Sequence, residues 1–203
     1  MISAADALAR LREGNRRFVA GQTTTLLVAN EARRATLLDG QEPFAIVLGC
    51  SDSRVPAEIV FDQGLGDLFV IRVAGNIVAP SQVGSVEFAA TRFGTKLVVV
   101  MGHSQCGAVT ATLEEMLGLS TTQSRNLLAI VDRIRPSLEA LRSGRGADPG
   151  ALMQDAVVAN VRASVNHLRH GSELIEELAA KRGLMVVGAT YSLESGIVTF
   201  LDS

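Results

Sequence analysis

The chain reads Phe44-Ala45-Ile46-Val47-Leu48-Gly49 and, further along, Leu97-Val98-Val99-Val100-Met101-Gly102, two apolar runs without a charged residue. Strands of a parallel sheet are covered on both faces, so they read as continuous apolar runs rather than as an alternation. Both runs are therefore predicted to be buried parallel strands. Each is followed at once by a potential metal ligand, Cys50 after the first and His103 after the second. Because neighbouring parallel strands end at the same edge of a sheet, where open α/β sheets bind ligands, we expect the two side chains to lie close together.

The rest of the sequence predicts two more parallel strands, at residues 68–72 and 184–191, and a last strand at 197–201. The turn Glu194-Ser195-Gly196 joins the last two strands, and its length predicts a hairpin. Helical periodicity marks residues 81–93, 108–116, 126–141, 152–168 and 172–181. The predicted fold class is α/β, with a mostly parallel central sheet of four strands plus an antiparallel edge strand, flanked by helices.

Residues 1–40 are predicted to form an N-terminal helical arm and a connector within a single domain that spans residues 1–203. Ser3 can cap the first helix, which ends near Gly21. Its apolar face consists of Leu8, Leu11 and Phe18. Such a face is too sparse for a core helix, so the arm is expected to lie on another subunit. The connector is predicted to contain a helical turn around residues 30–38.

Composition excludes several functional classes. Hydrophobic residues make up 47% of the 203, which is enough for a sizeable core. The formal net charge of −2, the absence of Trp and the single Tyr argue against nucleic acid as a partner. No apolar stretch has the length of a membrane span, and the N-terminus has no basic and apolar signal pattern. The sequence therefore predicts a cytoplasmic protein with reduced thiols and no membrane partner.

Both cysteines of the chain stand near other potential ligands. Cys50 opens Cys50-Ser51-Asp52-Ser53-Arg54, and Cys106 lies in Gly102-His103-Ser104-Gln105-Cys106-Gly107. Two sulfurs and one imidazole nitrogen suit Zn²⁺, and three protein ligands leave its fourth position open, as in catalytic sites. Two other interpretations remain: a buried thiol beside a hydrogen-bonded histidine, and a nucleophilic Cys–His pair at a helix N-terminus. The nucleophile leaves Cys50 and the Asp-x-Arg pair unexplained.

The charge of such a site gives Asp52 and Arg54 a task. Zinc with two thiolates and a neutral imidazole carries a formal charge of zero, so it acidifies bound water less than a three-histidine site does. A neighbouring group must then help with the proton. Asp52 can either accept a hydrogen bond from the zinc-bound water or bind the metal itself as a fourth ligand. Arg54 can clamp this carboxylate through two hydrogen bonds and keep it ionised.

These residues resemble the β-class carbonic anhydrases of bacterial type. The resemblance spans nearly the whole chain and depends on the motifs at 50–54 and 102–107 together with Gly66-Asp67-Leu68-Phe69-Val70-Ile71-Arg72-Val73-Ala74-Gly75-Asn76. It implies the reversible hydration of CO2 to bicarbonate and a proton. By resemblance, Cys50, His103 and Cys106 bind zinc, and Asp52 and Arg54 orient the zinc-bound hydroxide.

The resemblance also implies a substrate pocket built from two subunits. Gln41 matches a glutamine that donates a hydrogen bond to a substrate oxygen, and Gly102 matches a backbone donor near the metal. Phe69 and Ala74 fall at apolar pocket positions. Phe88 stands where many members have a tyrosine at the edge of the cleft contributed by the dimer. A homodimer, often paired into a tetramer, is the implied assembly.

One departure from the family concerns regulation. Some bacterial members are inhibited by bicarbonate in a side pocket made of a tryptophan, an arginine and a tyrosine. Arg72 and Tyr191 match two of these positions, but Val47 stands at the tryptophan position. We predict that this pocket is absent or weak.

Two alternatives for the function remain open. Relatives on this fold use the same zinc site to hydrolyse carbon disulfide or carbonyl sulfide. The chain could also be a regulatory module that is stabilised by zinc and has no turnover. Asp52, Arg54 and Gln41 argue against the second alternative, because a structural zinc site needs none of them.

Overall fold

The computed structural model describes residues 2–24, 31–120, 124–143 and 149–201. In chain order the elements are α1 (Ala4–Val19), α2 (Glu31–Thr36), β1 (Ala45–Gly49), α3 (Ala57–Val60), β2 (Leu68–Arg72), a 3-10 turn (Ala74–Asn76), α4 (Pro80–Arg92), β3 (Leu97–His103), α5 (Gly107–Met116), α6 (Arg125–Leu138), a second 3-10 turn (Glu139–Ser143), α7 (Pro149–His170), α8 (Glu173–Arg182), β4 (Met185–Tyr191) and β5 (Val198–Phe200). The expected helical turn in the connector is present as α2, and residue 30 lies outside the described residues. No helix within these ranges is long and apolar enough to cross a membrane.

The five strands form one sheet in the order β2-β1-β3-β4-β5. The first four strands are parallel, and β5 pairs with β4 in the antiparallel direction at one edge. Every residue of β1 and β3 is buried, since helices cover both faces of the sheet. This confirms the predicted fold class, and it explains why the two strands read as continuous apolar runs.

Helix α1 corrects one expectation. Ala4, Ala7 and Leu11 are buried and belong to a core cluster on one face of the protein's own sheet. The prediction that this helix is too sparse for the core was wrong. Because two of these side chains are alanines, the helix axis can approach the sheet closely, and a narrow apolar face is then enough to exclude water.

Asn15 fixes the position of α1 with three hydrogen bonds. Its Nδ2 donates to the carbonyl oxygens of Val60, at 3.1 Å, and of Gly196, at 2.9 Å. Its Oδ1 accepts a hydrogen bond from the Val198 N–H at 2.9 Å. The side chain is buried, and these bonds satisfy its amide. Asn15 therefore links the first helix to α3 and to the hairpin that ends in β5.

Gly14 allows this close approach, and its substitution is expected to be costly. A Cβ atom on Gly14 would lie 1.8 Å from the Phe61 carbonyl oxygen, which is backbone and cannot rotate away. Gly14→Ala should lower the free energy of unfolding by about 3 kcal/mol, because α1 must move away from the segment that follows α3. Urea titration at matched protein concentration measures the change. Gly84→Ala is the matched control, since Gly84 lies in α4 with open space around it. The control should gain about 0.5–1 kcal/mol, and an equal loss in both variants would contradict the packing argument.

Candidate metal centre

Three potential ligands meet where β1 and β3 end. Cys50 follows β1 directly, His103 is the last residue of β3, and Cys106 precedes the first residue of α5. Their ligand atoms, two Sγ and one imidazole nitrogen, all lie within 4.8 Å of one another, and all three residues are buried. The structure thus brings together the donor set that the sequence predicted.

The imidazole of His103 is oriented for metal binding. Its Nδ1 lies 2.9 Å from the Ser104 carbonyl oxygen, which can only accept, so Nδ1 carries the proton. Nε2 then presents its lone pair. This atom is buried and has no hydrogen-bond partner among the residues that the structure describes. A buried lone pair without a donor is costly in a protein interior, and a metal ion satisfies it.

The two cysteine side chains influence each other's pKa through a hydrogen bond. The hydrogen bond from the Cys106 thiol lowers the pKa of Cys50 to about 4, and the same bond together with burial raises the pKa of Cys106. Backbone N–H groups of Asp52 and Gly75 also favour the Cys50 thiolate, the second at 3.3 Å from Sγ. Metal ions bind cysteine as the thiolate, and two thiolates with one imidazole are donors that zinc prefers.

Asp52 and Arg54 form a two-point ion pair beside this cluster. Arg54 Nε donates to Asp52 Oδ1 at 2.9 Å, and Nη2 donates to Oδ2 at 2.8 Å. The backbone N–H of Arg54 also donates to Oδ1, at 3.0 Å. These hydrogen bonds hold the pKa of Asp52 well below its usual range. The carboxylate faces Arg54, and its Oδ2 lies 3.9 Å from Nε2 of His103, beside the position for a metal.

Arg72 positions the loop that carries these groups, a role that the sequence reasoning missed. Its Nε donates to the Cys50 carbonyl at 3.0 Å, and its Nη2 donates to the Asp52 carbonyl at 2.6 Å. A basic residue at the end of a strand next to β1 is the signal that could have indicated it.

Val47 is fully buried in β1 and Tyr191 is buried in β4. The absence of a bicarbonate pocket at these three residues stays a prediction.

The other predicted pocket residues divide into two groups. Ala74 and Gly102 lie near the ligands, because Ala74 starts the turn that contacts Cys50 and Gly102 precedes His103. Gln41 precedes β1, and Phe69 pairs with Ile46 near the start of that strand. A five-residue strand spans about 16 Å, so both lie far from their own Cys50.

Phe88 belongs to the distant group. Its ring centroid lies 6.2 Å from that of Phe69 and 5.7 Å from that of Phe93. Phe88 is 54% exposed although it lies in this aromatic cluster. Within one chain, therefore, Gln41, Phe69 and Phe88 are not brought to the metal centre.

The fold and the site together define a class of protein. The chain is an α/β protein whose mostly parallel sheet carries, at its carboxyl edge, two cysteines and a histidine arranged so that they could hold a metal ion. The family model described as "Carbonic anhydrase" matches residues 45–198. The chain is 39% identical over 192 residues to "Carbonic anhydrase 2" of Mycobacterium tuberculosis, covering 95% of this chain and 90% of the relative. It is 42% identical over 189 residues to a carbonic anhydrase of Mycolicibacterium smegmatis, covering 93% and 88%. The chain belongs to the β-carbonic anhydrase family.

Solved structures agree with this assignment. One of two tetrameric β-carbonic anhydrases from Sordaria macrospora superposes with a TM-score of 0.77 at 26% identity, covering 86% of this chain and 88% of the other. A β-carbonic anhydrase of Aspergillus fumigatus gives a TM-score of 0.76 at 27% identity, covering 98% and 90%. A third, from Coccomyxa in complex with acetazolamide, gives 0.74 at 26% identity, covering 96% and 86%.

Proposed function

We propose that this protein catalyses the reversible hydration of CO2 to bicarbonate and a proton at a zinc centre, with residues 1–203 acting as one domain. One observation carries the proposal: the carboxylate of Asp52, held by Arg54, lies beside three buried donor atoms that are free to hold a metal. The relatives named carbonic anhydrases support the same reaction. A purely structural metal site would need no ionised carboxylate at this place.

Cys50, His103 and Cys106 would hold the zinc ion. When bound there, zinc supplies a Lewis acid that makes water a nucleophile near neutral pH. The surrounding protein contributes the rest. Burial of the three ligands excludes bulk water, and the Nδ1–H of His103 that donates to Ser104 keeps the ring in one orientation.

Asp52 would orient the reacting water. An ionised carboxylate can only accept hydrogen bonds, so it selects the O–H of a water molecule and turns the oxygen lone pair away from itself. Arg54 donates two hydrogen bonds to Oδ1 and one to Oδ2, which leaves Oδ2 a further lone-pair direction on the His103 side. Because Arg54 also keeps the pKa of Asp52 low, the carboxylate remains an acceptor throughout the working pH range.

Gln41, Phe69 and Phe88 would act in the site of a second subunit. They lie toward the opposite end of β1 from Cys50, and Phe88 is exposed as a surface contact would require. CO2 is apolar with weakly basic oxygens, so a small apolar slot with one amide donor suits it. The tetrameric relatives from Sordaria macrospora support assembly. We infer a homodimer as the minimal active unit, with a tetramer as a pair of such dimers.

Stopped-flow CO2 hydration beside a zinc determination tests the proposal. The zinc-loaded protein should reach a kcat/KM of roughly 10⁶–10⁸ M⁻¹s⁻¹. A three-ligand site binds about one zinc ion per chain. The proposal would be contradicted if the protein held that amount of zinc but did not hydrate CO2 faster than buffer at pH 7 or at pH 8.5. Carbon disulfide and carbonyl sulfide should be poor substrates in the same assay. Their turnover in place of CO2 would assign the centre to a hydrolase.

A further inference from the structure

The turn after β2 has an unusual backbone. Gly75 has φ +69° and Asn76 has φ +44°, so two consecutive residues adopt the left-handed region. A residue other than glycine pays a free-energy cost of about 1 kcal/mol or more there. Both residues are buried. Such a turn persists only where its surroundings hold it.

The turn directs one N–H at a metal ligand. The backbone N of Gly75 donates to Cys50 Sγ at 3.3 Å. The approach is close because Gly75 lacks a side chain: a Cβ atom there would lie 2.7 Å from Ile134 Cδ1 and 3.0 Å from Ala108 Cβ. The direction of this hydrogen bond therefore depends on how the turn is held.

Helix α7 holds the turn through the backbone carbonyls of Gly75 and Asn76. Asn160 Nδ2 donates to the Gly75 carbonyl oxygen at 2.8 Å, and Ser164 Oγ donates to that of Asn76 at 3.1 Å. Asn160 and Ser164 are buried and lie at i and i+4, on one face of the helix. Within the described residues, neither side chain forms a hydrogen bond with a ligand atom. Each reaches the metal centre only through the backbone of the turn.

We propose that Asn160, assisted by Ser164, is a positioning residue that fixes the Gly75 N–H against the Cys50 sulfur and so sets how much charge this sulfur gives to the metal. The inference rests on the proposed function, which places zinc on Cys50. A hydrogen bond to a thiolate withdraws electron density from the sulfur and leaves the metal a stronger Lewis acid. This matters in a site with two thiolates, because they cancel the charge of the ion and weaken its effect on water.

Asn160→Leu replaces the amide with an apolar side chain of similar volume. The Gly75 carbonyl oxygen then loses the hydrogen bond from Asn160. In the zinc enzyme we expect the hydration rate to fall about 10-fold at pH 7. The difference from wild type should be smaller at pH 9, because the midpoint of the pH–rate profile moves to higher pH. In the protein loaded with Co²⁺, the sulfur-to-cobalt charge-transfer band should move to longer wavelength, because an electron-richer thiolate is easier to oxidise. Ser164→Ala should shift the pH–rate midpoint and the charge-transfer band in the same directions, but by smaller amounts. If Asn160→Leu does not fold, Ser164→Ala provides the test.

Thr95→Val is the matched control. Thr95 is buried like Asn160, and its Oγ1 donates to the Pro43 carbonyl at 2.7 Å, at the amino end of β1. The control should lose stability and leave the midpoint and the band unchanged. If Asn160→Leu and Ser164→Ala keep the wild-type midpoint and band while losing stability as the control does, the positioning role is overturned. A wild-type Co²⁺ protein without any thiolate band would instead contradict the proposed metal centre.

Discussion

Asp52→Asn is expected to lower CO2 hydration by about 10²–10³-fold, the range seen when one oriented polar group is removed from an active site. The amide has the shape of the carboxylate but carries no charge, and its nitrogen donates where the carboxylate accepts. It can no longer pair with both N–H groups of Arg54, nor select the O–H of the reacting water. Zinc content should stay at the wild-type level, because the three ligands are untouched.

Glu115→Gln is the control for the loss of an ion pair. Glu115 receives a hydrogen bond from Arg135 at 2.6 Å, and its side chain is 16% exposed against 17% for Asp52. It lies near the far end of α5 from Cys106. This variant should keep its activity. Arg54→Lys should resemble Asp52→Asn, since a single ammonium cannot form the two-point contact. If the Asp52→Asn protein holds a full complement of zinc and keeps more than half of the wild-type activity, Asp52 does not contribute to catalysis.

Cys50→Ser and Gln41→Ala are each expected to be nearly inactive, and a hybrid of the two chains should recover activity. Cys50→Ser loses a thiolate ligand and with it the zinc. Gln41→Ala keeps its zinc and loses the donor to substrate, a loss of about 10²-fold. In a hybrid dimer, one site combines the intact ligands of the Gln41→Ala chain with the intact Gln41 of its partner. That site is wholly wild type.

Co-expression with two affinity tags isolates the hybrid for a stopped-flow assay. The hybrid should show about half of the wild-type activity, because one of its two sites is complete. A hybrid of Cys50→Ser with His103→Ala is the control: both changes damage the ligand set of their own chain, so no complete site arises. If the first hybrid does not recover activity, Gln41 acts in the site of its own chain or in no site.

The sequence predicted that Cys50, His103 and Cys106 lie together, because these residues follow the ends of two strands. A short continuous apolar run indicates a strand covered on both faces, and the residue after it emerges at the edge of the sheet, where Cys50 and His103 meet. The Asp52–Arg54 contact could also be predicted from the sequence, since the two residues lie at i and i+2. The spacing does not show which way the carboxylate turns; the structure shows it facing Arg54.

What the sequence could not predict depends on contacts between distant residues. The support of Gly75 by Asn160 joins residues 85 positions apart. Helix α1 was misjudged because the prediction counted large apolar side chains, whereas Ala4, Ala7 and Gly14 pack by being small. The remote position of Gln41 and Phe88 follows from strand length and register rather than from any motif.

The hydrogen bonds of Asn15 have a consequence for how the chain matures. Two of its three partners, Gly196 and Val198, lie 181 and 183 positions later in the chain. At about 5–20 residues per second, ribosomal synthesis delivers them on the order of ten seconds or more after α1 has emerged. During that interval two of the three hydrogen bonds of Asn15 cannot form. Helix α1 therefore reaches its final position only after the hairpin that ends in β5 has been made.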